Sequence, residues 1–226
     1  MSEVVRIRLE FEPARDTISV TNVFSTGASE TFRVPEDALS SLFANRWTTG
    51  FMPVNGDGIV YVEEREGIRV AVVQRALKKD VKIHWNDYRN AGDHLVTTPW
   101  TYMVFRLAPS GIGYTRAKEN LYIGTGPCLG ANTPLYHAGA VVGNVYDVDR
   151  GYSSTNICWG NAAVAPNGVV TLASLVNLAS DFYTQPFTNH VQHSLEPWKN
   201  FTKSEKLPTQ SICTLGEAIR KVWDNR

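Results

Sequence analysis

The stretch "WTYMVFRLAPSGIGYTRAKENLYI" at residues 100–123 decides the class of fold, because it completes a long series of strand-like segments. Its two ends, "WTYMVFRL" and "NLYI", are rich in aromatic and β-branched residues, which favour strands. Similar strand-like segments precede it at 4–12, 17–24, 59–64, 68–77 and 81–85. In the first of these, Val5, Ile7, Leu9 and Phe11 alternate with polar residues, as in a half-buried strand. The first half of the chain is therefore predicted to be mainly sheet.

Helical patterns follow in the last quarter of the chain. After Thr171 one predicted helical face is apolar and carries Leu172, Leu175, Val176, Ala179, Phe182 and Tyr183. In "TLGEAIRKVW" at 214–223, Thr214 and Glu217 have the spacing of a capping box. A further helix is predicted earlier in the chain, at 35–47. Strands, then an irregular segment at 124–170, then helices predict an α+β fold with an antiparallel meander sheet and C-terminal helices.

Composition limits the classes of function. The 226 residues are 43% hydrophobic, and 22 basic residues balance 22 acidic ones. This suits one globular domain, or one domain with an extension, and does not favour binding to nucleic acid or to an anionic membrane. The start lacks the apolar core of a signal peptide, and no run approaches the roughly 20 apolar residues of a membrane span. Three widely spaced cysteines fit a reducing compartment, so a cytoplasmic protein is expected.

Two common types of site are disfavoured. The glycine-rich "GTGPCLG" at 124–130 follows a strand, but it lacks the ending of a phosphate-binding loop and does not continue as a helix. A flexible loop is the simpler interpretation. No cysteine or histidine spacing is typical of zinc, and His190 and His193 form only a weak pair. No metal and no organic cofactor is expected.

The segment "NICWGN" at 156–161 carries the cysteine of greatest interest. Free cysteines are among the most buried residue types, so Cys158 could be part of the core. It lies, however, in an irregular segment rich in glycine and asparagine, downstream of Asn144 and shortly before an amphipathic helix. A side-chain amide near a thiol can stabilise the oxyanion formed in acyl transfer. The residues themselves leave both interpretations open.

The region from about 100 to 220 resembles a prokaryotic family, that of PRTRC system protein B and related ubiquitin-conjugating-enzyme-like proteins. The matching pieces, in the family's order, are "NTPLYHA" at 132–138, "GNVY" at 143–146, "ICWG" at 157–160 and "DFYTQPFTNH" at 181–190. The resemblance implies a ubiquitin-conjugating-enzyme-like core at 95–226, preceded by an N-terminal α/β extension at 1–94.

By this resemblance Cys158 is the thiol that carries a ubiquitin-like protein, and Asn144 corresponds to the asparagine of the family's His-Pro-Asn element. The chain lacks the His-Pro pair, and the segment between Asn144 and Cys158 is several residues longer than usual. If that insertion displaces Asn144, then Asn156 or Asn161 would supply the amide. The remaining motif residues given a supporting role are Trp159, Thr188 and His190.

Two functions follow as expectations. The first is a transferase that accepts a ubiquitin-like modifier from a ThiF-like activating enzyme as a thioester on Cys158 and passes it to an amine. The second is an inactive interaction module of the same fold. Cys128 in "PCLG" also resembles the cysteine motif, but it precedes "TPLY", whereas the family's nucleophile follows it. Cys213 is predicted to be a packing residue.

Overall fold

The computed structural model describes residues 4–12, 17–35, 50–52, 54, 56–87, 90–110, 113–147, 155–159, 170–188 and 194–224. Within these ranges the chain forms fifteen strands and three α helices, and the fold is α+β, as predicted. The chain divides into two compact units, Met1–Thr48 and Thr49–Arg226.

The first unit contains a three-stranded antiparallel sheet. Its strands are β1 (Val4–Glu12), β2 (Thr17–Phe24) and β3 (Ser29–Pro35), and β2 lies in the middle. Val20 is buried at the centre of β2. The structure confirms the two predicted strands and adds β3. The helix predicted at 35–47 lies outside the described residues, apart from Pro35, which ends β3.

The second unit contains the other twelve strands and all three helices. The strands are β4 (Gly50–Phe51), β5 (Gly58–Arg65), β6 (Ile68–Arg75), β7 (Lys78–Trp85), β8 (Gly92–Thr98), β9 (Trp100–Ser110), β10 (Gly113–Gly124), β11 (Pro134–His137), β12 (Val145–Asp147), β13 (Thr155–Ile157), β14 (Pro186–Phe187) and β15 (Cys213–Thr214). The helices are α1 (Leu172–Asp181), α2 (Glu196–Ser204) and α3 (Leu215–Asp224).

The main sheet of this unit has the order β12-β13-β10-β9-β6-β5-β4, and every neighbouring pair in it is antiparallel. Strand β11 pairs with β10 and with β15 at one end. The β7–β8 hairpin leaves the path between β6 and β9 and joins β14 in a second small sheet. The predicted antiparallel meander is therefore present in β5, β6, β9 and β10.

The predicted boundary at 94/95 does not coincide with a division between compact units. Strand β6 precedes that boundary and β9 follows it, yet the two pair along seven residues, from Arg69↔Leu107 to Arg75↔Thr101. A ladder of this length places both strands in one core. The structure instead separates the two units at 48/49.

Both faces of the main sheet are covered. On β6, β9 and β10 neighbouring apolar residues alternate between two buried clusters: Val73, Phe105 and Ile123 belong to the first, and Val72, Val104 and Tyr122 to the second. This alternation follows from the two-residue period of a strand. Helix α1 contributes Leu175, Leu178 and Ala179 to the first cluster, and α3 contributes Ala218, Ile219 and Val222 to the second.

The two predicted C-terminal helices are present with their caps. The Thr171 hydroxyl accepts a hydrogen bond from the backbone N–H of Ser174, and the Thr214 hydroxyl accepts one from that of Glu217. In α1 the buried face contains Leu178, which the sequence pattern did not include, whereas Val176 is half-buried. Helix α2 was not predicted. None of the described helices combines the length and the apolar character required to cross a membrane.

Phe182, in the 3₁₀ turn that follows α1, provides a test of the first cluster. It is fully buried, and its ring meets those of Trp159, Tyr183 and Phe187 edge-on, with centroids 5.8, 5.1 and 5.4 Å away. We expect Phe182→Ala to lower the free energy of unfolding by about 3–5 kcal/mol in urea denaturation, because the surrounding side chains cannot fill the cavity that the ring leaves. Leu95→Ala, at a 66% exposed position, is the control and should change it by less than about 0.5 kcal/mol. Similar losses for the two variants would contradict the assignment.

Candidate functional site

Cys158 lies at the edge of the main sheet, directly after β13. Strand β13 pairs with β12 on one side and meets β10 at Asn120↔Asn156 on the other. The side chains of Ile157 and Trp159 both pack against the first cluster, on the α1 side of the sheet. Because side chains alternate along an extended chain, Asn156 and Cys158 belong to the opposite, α3 side. Cys158 is half-buried.

Asn144 connects the Cys158 segment to the segment that follows β14. Its backbone C=O accepts a 2.8 Å hydrogen bond from the N–H of Cys158, and its backbone N–H donates a 2.7 Å bond to the C=O of Thr188. Its side chain donates from Nδ2 to the C=O of Pro186 at 2.8 Å and accepts at Oδ1 from the N–H of Thr188 at 2.9 Å. Asn144 is 4% exposed and has a φ of +57°, a left-handed conformation that asparagine tolerates better than most residues.

These bonds bring together three motif residues that are far apart in the sequence: Asn144, Cys158 and Thr188. They also fix the orientation of the Asn144 amide, since its oxygen and its nitrogen are both engaged with backbone groups of 186–188. One of the two N–H groups of its Nδ2 is used in this way. The role of this amide at an oxyanion stays a prediction. Asn144 acts here as a structural link, and the backbone of Cys158 depends on it directly.

The Asn156 side chain shares a sheet face with Cys158 and with its cross-strand partner Asn120. Its Oδ1 accepts a 3.0 Å hydrogen bond from Nδ2 of Asn120, which is 3% exposed. This bond orients the Asn156 amide while using its oxygen and not its Nδ2 donor. The amide of Asn156, the substitute proposed from the sequence, is thus held on the α3 side of the sheet, the same side as Cys158. Asn161 and His190, the two other predicted residues, lie outside the described residues.

Trp159 is held on the other face by residues that the sequence interpretation missed. Its indole N–H donates to the Glu119 carboxylate, and the Arg116 guanidinium lies 5.4 Å from its ring centroid. Arg116 Nη1 lies 2.8 Å from Glu119 Oε1 as an ion pair without hydrogen-bond alignment. Burial raises the pKa of Glu119, and Arg116 and Trp159 oppose that rise. Only the 116–119 spacing of opposite charges hinted at this cluster, because Trp159 is 40 residues away.

The two other cysteines have different surroundings. Cys128 is half-buried, and its Sγ accepts a 3.4 Å hydrogen bond from the N–H of Gly130. Its own N–H donates to Oε1 of Gln74, which is fully buried, so the loop after β10 is anchored to β6. Cys213 lies in the second cluster, which confirms the packing role predicted for it. Burial raises the pKa of the Cys213 thiol to about 11.

Comparisons with known proteins leave the chain without an assigned family: no family model, no curated protein and no solved structure matches it. The resemblance to ubiquitin-conjugating-enzyme-like proteins therefore rests on the motifs alone.

Replacing Asn144 should destabilise the second unit. We expect Asn144→Ala to lower the free energy of unfolding by about 2–4 kcal/mol, because the backbone groups of Pro186 and Thr188 lose their partners and alanine is strained at positive φ. Asn144→Gly loses the same bonds without that strain, and should be less destabilised by about 1 kcal/mol. Urea denaturation of both variants measures the difference. An alanine variant as stable as the parent would show that the link is dispensable.

The three thiols should differ in reactivity. At pH 8 only about one Cys213 thiol in a thousand is ionised when its pKa is near 11, and the thiolate is the reactive form. Iodoacetamide followed by peptide mass mapping should therefore modify Cys158 and Cys128 in the folded protein, and Cys213 only after unfolding in urea. Rapid labelling of Cys213 in the folded protein would contradict its burial. Protection of Cys158 as complete as that of Cys213 would exclude a role for its thiol.

Proposed function

We propose that this chain is a prokaryotic, cytoplasmic carrier with a ubiquitin-conjugating-enzyme-like core, which holds a ubiquitin-like protein as a thioester on Cys158 and passes it to an amine. The observation that supports this most is the meeting of Asn144, Cys158 and Thr188 through backbone and side-chain hydrogen bonds. These residues come from three motif segments whose order is shared with that family, and their contact was not required by the sequence pattern.

The position of Cys158 suits a carrier thiol. It follows the last residue of β13, the strand next to the edge strand β12, is half-buried, and has its N–H fixed by Asn144. In the loading step its thiolate attacks the carbonyl carbon of the modifier's thioester on an activating enzyme, and that enzyme's cysteine leaves as a thiolate. One thioester replaces another, so this step needs no metal, no redox partner and no strong base.

In the transfer step an amine attacks the thioester carbon and a tetrahedral oxyanion forms. The amide best placed to stabilise it is that of Asn156, since the Asn144 amide is engaged with residues 186–188. A single donor of this kind typically changes the rate by about 10²–10³-fold. The oxyanion then collapses and the carbon–sulfur bond breaks. The proton lost by the attacking nitrogen goes to the departing sulfur or to solvent, and Cys158 is released as the amide product forms.

The partners follow from the chemistry of the two steps. A ubiquitin-like modifier supplies the acyl group, and a ThiF-like activating enzyme supplies it in activated form. Neither nucleic acid nor a membrane is needed. The equal numbers of acidic and basic residues agree with protein partners better than with a polyanion.

A second candidate function is a non-catalytic module that binds a ubiquitin-like protein. The hydrogen bonds of Asn144 favour it, because the residue that corresponds to the family's catalytic asparagine is used here to link two segments. Under this alternative Cys158 contributes packing and backbone bonds, and no covalent adduct forms.

The decisive experiment combines the chain with a ubiquitin-like modifier and a ThiF-like activating enzyme from the same source, in the presence of ATP. We expect an adduct on non-reducing gels that a thiol reductant removes. Cys158→Ser should convert this adduct into a reductant-resistant oxyester or abolish it, because an ester linkage is not cleaved by thiol exchange. Cys128→Ser is the matched control, a half-buried cysteine elsewhere in the same unit, and should leave the adduct unchanged.

Two results would overturn the carrier proposal. One is a reducible adduct that survives in Cys158→Ser and disappears in Cys128→Ser. The other is non-covalent binding of the modifier with no adduct at any enzyme concentration, which would favour the interaction module.

A further inference from the structure

A cavity of about 370 Å³ lies at the C-terminal end of α3, on the same side of the main sheet as Cys158. It is lined by Arg65, Glu66, Ile68, Arg106, Trp223 and Asp224. Two guanidinium groups are thus present, together with two exposed carboxylates. Whether the cavity can bind a charged group depends on which of these charges are already neutralised.

Arg65 is neutralised within the protein. Its Nε and Nη2 donate to the two carboxylate oxygens of Glu63, at 2.8 and 2.9 Å, and its guanidinium lies 4.9 Å from the ring centroid of Trp223. The guanidinium thus binds the Glu63 carboxylate in a bidentate manner. Arg65 therefore forms a wall of the cavity and contributes little net charge to it.

Arg106 is different. It is half-buried, and no carboxylate of a described residue lies within ion-pair distance of it. Its Nε is buried and has no hydrogen-bond acceptor among the described residues. A guanidinium N–H removed from water without an acceptor is unfavourable, and a bound anion would supply the acceptor.

Strand register places a second such cation beside Arg106. Arg106 on β9 is opposite Lys118 on β10, and the described residues provide no carboxylate partner for this half-buried lysine either. Continuing the Asn120↔Asn156 pairing by two residues places Lys118 opposite Cys158. Alternation puts all three side chains on the α3 side, since Val104 and Tyr122 on that side are two and four residues from Arg106 and Lys118.

Arg106 and Lys118 are thus paired on neighbouring strands, and extending the register of β13 places Cys158, directly after that strand, next to Lys118. Strands in a sheet lie about 4.8 Å apart, so the backbones of Arg106 and Cys158 are separated by roughly 10 Å. This distance corresponds to about three residues of extended chain. A peptide whose end is joined to Cys158 can therefore place its third residue from that end beside Arg106.

We propose that Arg106 and Lys118 form a carboxylate-binding site for an acidic side chain about three residues before the C-terminus of the polypeptide joined to Cys158. The planar guanidinium fork matches a carboxylate, and the exposed Glu66 and Asp224 at the cavity disfavour a more highly charged phosphate. The identity of the polypeptide as the ubiquitin-like modifier rests on the proposed function. The binding site itself does not.

The test uses affinity labelling, which needs neither the activating enzyme nor a thioester. Three hexapeptides end in the same chloroacetamide group, which alkylates cysteine; one has Glu three residues from that end, one has Gln there, and one has Glu at the far end. We expect the first peptide to label Cys158 of the intact protein about tenfold faster than the second or third. The reason is that a charge-assisted hydrogen bond from Arg106 or Lys118 to its Glu would hold the reactive end near the thiol. Mass mapping measures the rate at Cys158, with Cys128 as the internal reference.

Variants then locate the preference. Arg106→Gln and Lys118→Gln should each reduce it, whereas Arg106→Lys should retain part of it because the cation remains. Arg220→Gln removes an exposed arginine of α3 that lies outside the cavity lining, and should leave the preference intact. Circular dichroism and thermal melts establish that each variant is folded. Equal labelling by the Glu and Gln peptides, or a preference unchanged in both Arg106→Gln and Lys118→Gln, would overturn the proposal.

Small anions distinguish the source of the carboxylate. Competition by an unreactive form of the first peptide, at concentrations where glutarate has no effect, would support a polypeptide ligand. Glutarate that competes better than this peptide would overturn that part of the proposal, as would inorganic phosphate competing better than glutarate. Labelling as expected without any adduct from the activating enzyme would refute the carrier function and leave the site standing.

Discussion

The structure of the second unit depends on the burial of both faces of strands β6 and β9. A sheet whose central strands carry apolar residues at consecutive positions cannot leave either face in water, so each face must be covered by another element. Helix α1 covers one face and α3 the other. The short strands β12 and β13 end this sheet, and Val145, Ile157 and Trp159 still contact the first cluster. Cys158 follows β13 at this end of the sheet, where it is half-buried.

At that end of the sheet a single asparagine holds neighbouring segments together, as the backbone hydrogen bonds of longer strands would otherwise do. Asn144 forms hydrogen bonds with backbone groups of Cys158, Pro186 and Thr188, through its own backbone and through its side chain. A buried amide used in this way fixes the relative position of three segments with few residues. The same commitment separates structure from chemistry at the site, since the oriented amide that faces the Cys158 side of the sheet is Asn156.

The sequence predicted the elements that have a regular period and failed where geometry comes from distant contacts. The strands at 68–77 and 100–107, and the helix that begins after Thr171, were recognisable because their apolar residues repeat with the spacing of a strand or a helix. The division between compact units at 48/49 was not predicted, because the pairing of β6 with β9 across residues 94/95 leaves no local signal. Helix α2 was missed because it has only nine residues and buries only Trp198 and Phe201.

The candidate site shows the same limit. Cys158 and Asn144 were identified from short motifs, but the partners that define their setting were not. Glu119, Asn120 and Lys118 belong to a strand that ordinary strand propensity explains, and their relation to Cys158 depends on the register of β10 with β13. The ion pair of Glu119 with Arg116 is visible in the sequence only as two opposite charges three residues apart. Register is a property of the assembled sheet, and the local pattern of each strand does not show which residues will be paired.

The pairing of β14 with β7 has a consequence for the order of folding. It is the one parallel pair among the described strands, and it joins Pro186–Phe187 to His84–Trp85, about one hundred residues earlier in the chain. Closing so long a loop costs more chain entropy than forming the hairpins of the meander, and contacts of large sequence separation form slowly. The segment that carries Thr188 to Asn144 should therefore dock after the sheet is complete. The surroundings of the Cys158 thiol are then completed only when this segment docks. A nascent chain interrupted before β14 would carry Cys158 without them.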